Sequence, residues 1–194
     1  MLRYQTFSGI QLGDHIDALA QLRIEVFREF PYLYDGDLQY EKGYLKTYTQ
    51  SQNSLIVLVW DGDRAVGAST AIPLLEETAE VQQPFVDAGM ELERLFYCGE
   101  SVLLSDYRGQ GVGVRFFELR EQAARRGGFQ QICFCAVQRP NNHPRKPSGY
   151  EPLDLFWQNR GYQKQPQLTT QFSWKDLDEE VESLKPMAYW LKGF

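Results

Sequence analysis

The segment from residue 106 to residue 113, DYRGQGVG, constrains the fold of this 194-residue chain more than any other feature. It lies between an apolar stretch typical of a strand, 94–104, and an amphipathic stretch typical of a helix, 111–127. Glycines let the backbone turn sharply and approach a ligand closely. The first amides of a helix have no intrahelical acceptor and lie at the positive end of the helix dipole. The segment therefore predicts a strand–loop–helix unit that binds a phosphate or pyrophosphate.

The order of residues in this segment separates three kinds of phosphate-binding loop. A P-loop requires a lysine followed by serine or threonine, and this segment has neither pair. A dinucleotide-binding fingerprint requires Gly-x-Gly-x-x-Gly and a distant acidic residue, but Gly109, Gly111 and Gly113 have another spacing. The third pattern, Arg/Gln-x-x-Gly-x-Gly/Ala, matches residues 108–113 in full. The alternative is that these glycines form only a tight turn.

Apolar and amphipathic stretches predict an α/β fold with a mixed sheet. Strands are expected at 2–7, 54–60, 64–72, 94–104, 130–137, 162–165 and 168–174. Helices are expected at 14–29, 36–50, 111–127 and 152–160, with a shorter one within 75–93, and Asp14 would cap the first. We expect one domain over 1–194, in which 176–194 is a C-terminal extension that packs on the body.

The net charge of −6 and the pI near 5.0 argue against binding to nucleic acid or to an anionic membrane. No apolar run reaches the roughly 20 residues that a membrane span needs, and no signal peptide is expected. Three cysteines, an odd number, fit a reducing compartment, so we expect a cytoplasmic protein. The Cys133-x-Cys135 spacing has no second cysteine pair or histidine cluster, so no metal site is expected.

The segment SVLLSDYRGQGVGVRFFE resembles the coenzyme-A-binding motif of the GNAT acetyltransferases. The order of expected strands and helices is that of the family, and LFWQNRGYQ resembles its second motif. The resemblance implies a mixed, mostly antiparallel central sheet flanked by helices on both faces. It implies an N-acetyltransferase that moves an acetyl group from acetyl-CoA to an amine by direct attack, without a metal. A homodimer is a further expectation, since dimers are common in the family.

The resemblance also implies which residues hold the co-substrate. The pyrophosphate would lie on the backbone of a loop formed by Arg108, Gly109, Gln110, Gly111, Val112 and Gly113. The backbone near Val102 and Leu103 would bind the pantetheine arm and face the thioester carbonyl. Glu100, on the same strand, is the candidate general base, and a strand glutamate in a salt bridge with Arg64 or Arg94 is the alternative.

The general acid departs from the family pattern. Many relatives have a tyrosine four residues before the glycine of the second motif, where this chain has Trp157 before Gly161. An indole N–H donates a hydrogen bond but is not a practical acid, so Trp157 is expected to pack. The asparagine usual at the start of that helix is replaced by Tyr150. Asn141, Asn142 or Tyr150 would then take the contact with the co-substrate or the role of the acid.

The acceptor is expected to contact the connection between the first two helices, which contains Tyr32 and Tyr34. Aromatic rings and carboxylates suit a cationic amine, and an aromatic cluster at the edge of the core is the alternative. Two other functions remain open. One is a non-catalytic module that binds acyl-CoA as a sensor, and the other is an interaction protein that docks a partner through PMAYWLKGF.

Overall fold

The computed structural model describes residues 1–194 except the side chain of Asp14, so the predicted cap by Asp14 lies outside the described part. The strands are β1 (Arg3–Phe7), β2 (Leu55–Asp61), β3 (Arg64–Pro73), β4 (Leu95–Tyr97), β5 (Ser101–Leu103), β6 (Gln131–Val137), β7 (Gln163–Trp174) and β8 (Ser183–Gly193). They form one sheet in the order β1-β2-β3-β4-β6-β8-β7, and β5 continues beside β3. The ladder between β4 and β6 is parallel and the others are antiparallel. The mixed, mostly antiparallel sheet is thus confirmed.

Helices cover both faces of this sheet, as expected. They are α1 (Ile16–Phe27), α2 (Leu38–Tyr44), α3 (Lys46–Gln50), α4 (Ala79–Asp87), α5 (Val112–Arg126) and α6 (Asp154–Gln158). Successive side chains of a strand point to opposite faces. Glu100 contacts Arg23 of α1, whereas the next residue, Ser101, contacts Arg120 of α5. α1 and α5 therefore lie on opposite faces.

Two expected elements are each divided in the structure. The helix expected at 36–50 ends at Leu45 and restarts as α3, and Asp37 caps α2 by accepting from the Gln39 and Tyr40 amides. The strand expected at 94–104 is interrupted between β4 and β5, where Gly99 lies. A Cβ at Gly99 would lie 2.1 Å from the Tyr48 hydroxyl, so this close approach requires a glycine.

The C-terminal segment differs from the expected extension. Its residues 183–193 form β8, an internal strand that pairs with β6 on one side and β7 on the other. Tyr189 packs on Phe85 of α4, with ring centroids 4.8 Å apart, and Trp190 packs on Trp157 of α6 at 5.0 Å. Adjacent aromatic residues thus fill the two opposite layers of the core. The sequence of this segment does not reveal which strands lie beside it, so its aromatic residues alone could not distinguish an internal strand from an extension packed on the surface.

The two strands expected at 162–165 and 168–174 are one strand, β7, with a register shift between Gln165 and Thr169. Cys98, Cys133 and Cys135 are buried free thiols. Among the helices that the structure describes, none combines the length and apolar character needed to cross a bilayer.

Candidate active site

A gap opens in the middle of the sheet. β4 pairs with β6 as far as Tyr97 and Cys133, and the Cys98 amide donates to the Cys133 carbonyl at 2.8 Å. Beyond this point β5 forms its ladder with β3, while β6 continues along β8. The two neighbouring strands therefore separate, and the gap between them leads to the N-terminus of α5.

The backbone of β5 turns alternate groups toward this gap. The Leu104 amide donates to the Val66 carbonyl at 3.0 Å, and the Glu100 carbonyl accepts from the Thr70 amide at 3.1 Å. These even-numbered residues face β3, and Val102, which is in register with Ala68, faces it too. Because an antiparallel ladder alternates, the amide of Leu103 points away from β3 and toward the gap.

The glycine-rich loop lies directly after this strand. Gly109 has φ +74° and Gly111 has φ +82°, a left-handed conformation that glycine adopts without strain. A Cβ built at either glycine meets no atom of the described structure within 4 Å, so the loop borders open space. The first hydrogen bond of α5 runs from the Arg115 amide to the Gly111 carbonyl. The amides of residues 112–114 therefore point out of the helix end, and the loop fits an anionic group.

The side chain of Arg108 fixes the shape of this loop. Its guanidinium donates to the Leu103 carbonyl through Nε at 3.2 Å and through Nη2 at 3.1 Å. It also contacts Glu29, after the end of α1, at 2.8 Å. Gln110 Nε2 donates to the Asp106 carbonyl at 3.0 Å. Arg108 thus occupies the carbonyl of Leu103, and the amide of the same residue remains available on the side of the gap.

Glu100 lies on the face covered by α1 and α2 and is 5% exposed. Its Oε2 contacts Arg23 Nη1 at 2.5 Å, and its Oε1 is buried without a hydrogen-bond partner among the described residues. Burial raises the pKa of Glu100, and the positive charge of Arg23 opposes that rise. The alternative of a salt bridge is confirmed, but its predicted partner is wrong. Glu100 binds Arg23, whereas Arg64 contacts Glu25 and Arg94 contacts Glu91.

Tyr32 and Tyr150 each pack on an aromatic ring at or just after the end of α1, Tyr32 on Phe27 and Tyr150 on Phe30. Tyr150 packs edge-on against Phe30, with ring centroids 4.7 Å apart. Burial, and then the charge of Asp154, raises the pKa of Tyr150. Burial also raises the pKa of Tyr32, with smaller effects from its neighbours Cys135 and Tyr150. Both phenols thus keep their protons at neutral pH.

The connection that carries Tyr32 and Tyr34 is held by Arg139, which follows β6. Arg139 Nε donates to the Pro31 carbonyl and Nη2 to the Tyr32 carbonyl, both at 2.7 Å. Asp176 binds the same guanidinium at 2.8 and 2.9 Å. Burial, and then the charge of Glu41, raises the pKa of Tyr34. The structure therefore places Tyr34 beside Glu41, whereas Tyr32 lies beside the end of β6.

The second motif is packed as the sequence indicated. Trp157 lies against Phe134 and Trp190, with ring centroids 5.0 Å away in both pairs. Gly113, in the first turn of α5, would place a Cβ 3.5 Å from the Phe156 ring. Asn142 is exposed in a turn between β6 and α6.

Sequence reasoning missed the charged residues buried around Glu100 and Ser101. They are Arg23, Glu41, Glu77 and Arg120. Three of them occupy apolar-face positions of their helices: Arg23 follows Leu19 by four residues, and Arg120 follows Phe116 by four. Glu41 likewise precedes Leu45 by four. A charge within an apolar helical stripe is the signal that would have found them.

The comparisons with known proteins bear on this arrangement. The model of the acetyltransferase (GNAT) family matches residues 17–146, which include the gap and the glycine-rich loop. The chain belongs to the GNAT acetyltransferase family. It is an acyltransferase that moves an acetyl group to an amine, and its acceptor is unidentified. The match gives no support to the non-catalytic alternative, and members of the family generally use acetyl-CoA.

Solved structures show the same fold. A protein from Acinetobacter baylyi, described as an acetyltransferase, aligns with a TM-score of 0.66 and 11% identity over 100% of this chain and 92% of its own. A GNAT-family protein from Desulfovibrio desulfuricans aligns with a TM-score of 0.60 and 9% identity, over 100% of this chain and 99% of its own. An acetyltransferase from Streptococcus agalactiae aligns with a TM-score of 0.60 and 11% identity, over 100% of this chain and 98% of its own. No curated protein matches the sequence significantly.

Proposed function

We propose that this GNAT acetyltransferase binds acetyl-CoA along the gap between β5 and β6, with the pyrophosphate on residues 108–113. The observation that carries the proposal is the continuity of the gap with the glycine-rich N-terminus of α5. Leu103, rather than Val102, offers its amide to the pantetheine arm, because Val102 faces β3. Asn142, in the turn after β6, is a further contact that we propose for the co-substrate.

Acetyl-CoA supplies the activated acetyl group, and the residues around the gap supply position and proton transfer. An amide facing the gap would donate to the thioester oxygen as negative charge develops on it. Glu100, whose Oε1 has no hydrogen-bond partner among the described residues, would accept the proton of the attacking amine, directly or through water. Tyr150, whose phenol keeps its proton at neutral pH, would protonate the departing thiolate.

The acceptor would approach from the face of α1 and α2, past Tyr32 and Tyr34. Support comes from Glu100, which points to this face, and from Arg139, which holds the connection that carries both tyrosines. We also propose that the protein acts in the cytoplasm, where its three buried free thiols remain reduced. The single domain over residues 1–194 remains a prediction.

The first experiment is calorimetric titration of acetyl-CoA into the wild type, Gly111→Trp and Gly128→Trp. Gly111 and Gly128 flank the two ends of α5, both have positive φ, and a Cβ at either meets open space. The two substitutions therefore impose similar backbone strain, but only the first fills the proposed pyrophosphate loop. We expect micromolar binding by the wild type and Gly128→Trp, and loss of binding in a folded Gly111→Trp. Equal binding by both variants would place the pyrophosphate elsewhere.

A further inference from the structure

Arg120, on α5, is a buried cation whose contacts are with neutral groups. It is 2% exposed, and its Nη1 donates to Ser101 Oγ at 2.8 Å and lies 3.4 Å from the Glu100 carbonyl oxygen. Its guanidinium packs on the Phe117 ring, 4.5 Å from the centroid. Its Nε is buried without a hydrogen-bond partner among the described residues.

No salt bridge joins Arg120 to a carboxylate in the described part of the structure. Glu121, the next residue, binds Lys192 Nζ at 2.7 Å, and the Glu100 carboxylate binds Arg23 on the opposite face of the sheet. An arginine keeps its charge in proteins, and a buried charge without a partner is destabilising. The surroundings of Arg120 therefore suit a negative charge that arrives with a ligand or forms during the reaction.

Ser101 lies between this cation and the gap. Its side chain is exposed although Arg120 beside it is buried, and β3 pairs with the other edge of β5, so the exposure is on the side of the gap. The Ser101 hydroxyl accepts from Arg120 Nη1, and it can turn its own proton either to Ser69 Oγ, 3.2 Å away, or into the gap. Because hydrogen bonds in a chain polarise one another, the bond from the guanidinium makes this hydroxyl a stronger donor.

The gap has a closed end and an open end. It closes at Cys98, whose amide donates to a carbonyl of β6, and it opens at the glycine-rich loop of residues 108–113. A co-substrate whose pyrophosphate lies on that loop and whose arm follows β5 passes Leu103 and ends beside Ser101. The Ser101 amide also points to the gap, because it alternates with the neighbouring groups that face β3. A thioester carbonyl at the closed end would therefore lie near two donors of this residue.

We propose that the Ser101 hydroxyl donates a hydrogen bond to the thioester oxygen of acetyl-CoA, and that Arg120 is a positioning residue that strengthens this donor. As the amine nitrogen bonds to the acetyl carbon, the π electrons of the carbonyl move to its oxygen. When they return, the C–S bond breaks and its electron pair leaves with the sulfur. Ser101 keeps its proton throughout, and the charge of Arg120 compensates the negative charge on the oxygen. The proposal rests on the co-substrate position proposed above.

The two faces of the sheet would then carry the two charges of the reaction. Glu100 and Ser101 are consecutive, so their side chains lie on opposite faces, toward α1 and toward α5. The amine becomes positive as it attacks, and it would meet the Glu100 carboxylate on the face of α1. The carbonyl oxygen becomes negative, and it would meet Ser101 and Arg120 on the face of α5.

Infrared spectroscopy of bound acetyl-CoA tests the proposal without an acceptor. The full chain is saturated with acetyl-CoA that carries carbon-13 at the acetyl carbonyl, and the difference from unlabelled acetyl-CoA isolates the carbonyl band. We expect this band at a lower wavenumber in the wild-type complex than in free acetyl-CoA, because a hydrogen bond to the oxygen weakens the C=O bond. Ser101→Ala and Arg120→Met should each show a smaller lowering. Arg120→Lys, which keeps the charge, should show more of the lowering than Arg120→Met.

Arg160→Met is the matched control. Arg160 also has a buried Nε without a partner among the described residues, and it packs on the same Phe117 ring at 5.9 Å and on Phe156 at 3.5 Å. Its Nη1 donates to the Phe156 carbonyl, however, and not to β5, so this variant should keep the full lowering. If Arg120 acts through Ser101, Arg120→Met should have no further effect in a protein that already carries Ser101→Ala.

An equal lowering in the wild type, Ser101→Ala and Arg120→Met, with acetyl-CoA bound to all three, would overturn the assignment and leave the co-substrate site intact. A loss from Arg120→Met that is equally large in the Ser101→Ala background would overturn the role of Arg120, because it would not act through Ser101. Failure of the wild type to bind acetyl-CoA would refute the co-substrate site, and this assignment would fall with it. If Arg120→Met does not fold, as judged by its melting curve, Ser101→Ala alone decides, since it changes an exposed side chain.

Discussion

Glu100 combines two properties at the scale of a single residue. One oxygen contacts Arg23, which favours the ionised carboxylate, and the other is buried without a hydrogen-bond partner among the described residues. Burial acts in the opposite direction and raises the pKa of this carboxyl above its ordinary value of 4.5. A base with a raised pKa is better matched to proton transfer near neutral pH.

We therefore expect Glu100→Gln to lower kcat by about 100-fold, which is a typical contribution of a general base, and to leave the Kd for acetyl-CoA unchanged. As pH falls, kcat/KM of the wild type should decline through the raised pKa of Glu100, above pH 4.5, because protonation removes the base. The measurement is the ratio of wild-type to variant kcat/KM against pH, in which the acceptor's own ionisation cancels. A ratio that stays constant with pH would show that the base is another group.

The candidate site was predictable from sequence only in part, and the division has a physical reason. The loop around Gly111 was accessible because its glycines, its strand and its helix are consecutive in the chain. Arg23, Glu41 and Arg139 meet their partners only through tertiary packing, so no local pattern predicts those contacts. For this reason the sequence predicted Arg64 or Arg94 as the partner of Glu100, whereas the partner in the structure is Arg23.

At the scale of elements, the break between β4 and β5 positions the site. At Gly99 the chain turns away from β6, so β5 pairs with β3 only and the other edge of its backbone faces the gap. Gly99 permits the break by letting the Tyr48 hydroxyl approach the backbone, and Tyr48 in turn binds Glu77. The sequence indicated an irregularity at Gly99, but the residue that packs there comes from α3.

Substitution of Gly99 by Ala should destabilise the protein by about 1–3 kcal/mol, because the new Cβ would lie 2.1 Å from the Tyr48 hydroxyl and 2.8 Å from Thr70 Oγ1. Gly43→Ala is the matched control. Gly43 lies within α2, where a Cβ meets open space, so alanine should stabilise the helix by roughly 0.5–1 kcal/mol. Urea unfolding of both variants measures the two changes. Equal stability of Gly99→Ala and the wild type would mean that Tyr48 moves at little cost.

At the scale of the whole molecule, the last strand completes the sheet. β8 separates β6 from β7 and contributes Tyr189 and Trp190 to opposite layers of the core. Strands and helices were largely predictable because their periodicity is local, whereas strand order was not. An order in which β8 lies between β6 and β7 depends on pairing between residues distant in the chain.

Removal of residues 183–194 should therefore abolish cooperative folding, because the loss of an internal strand exceeds the roughly 5–15 kcal/mol that stabilises a domain. Removal of Phe194 alone should leave a folded protein, since this residue is 38% exposed and lies beyond β8. Circular dichroism with thermal melting distinguishes the two outcomes. A cooperative melt of the longer truncation would contradict an essential role for β8.

The position of β8 also sets when the protein acquires its fold during synthesis. A ribosome extends the chain from its N-terminus at about 5–20 residues per second, so β6 and β7 are complete before the strand that joins them exists. Until residue 193 has left the exit tunnel, β6 has one unpaired edge and β7 has no partner strand. The sheet is therefore completed only after the whole of β8 has emerged, and until then the unpaired edges of β6 and β7 can pair with strands of other chains.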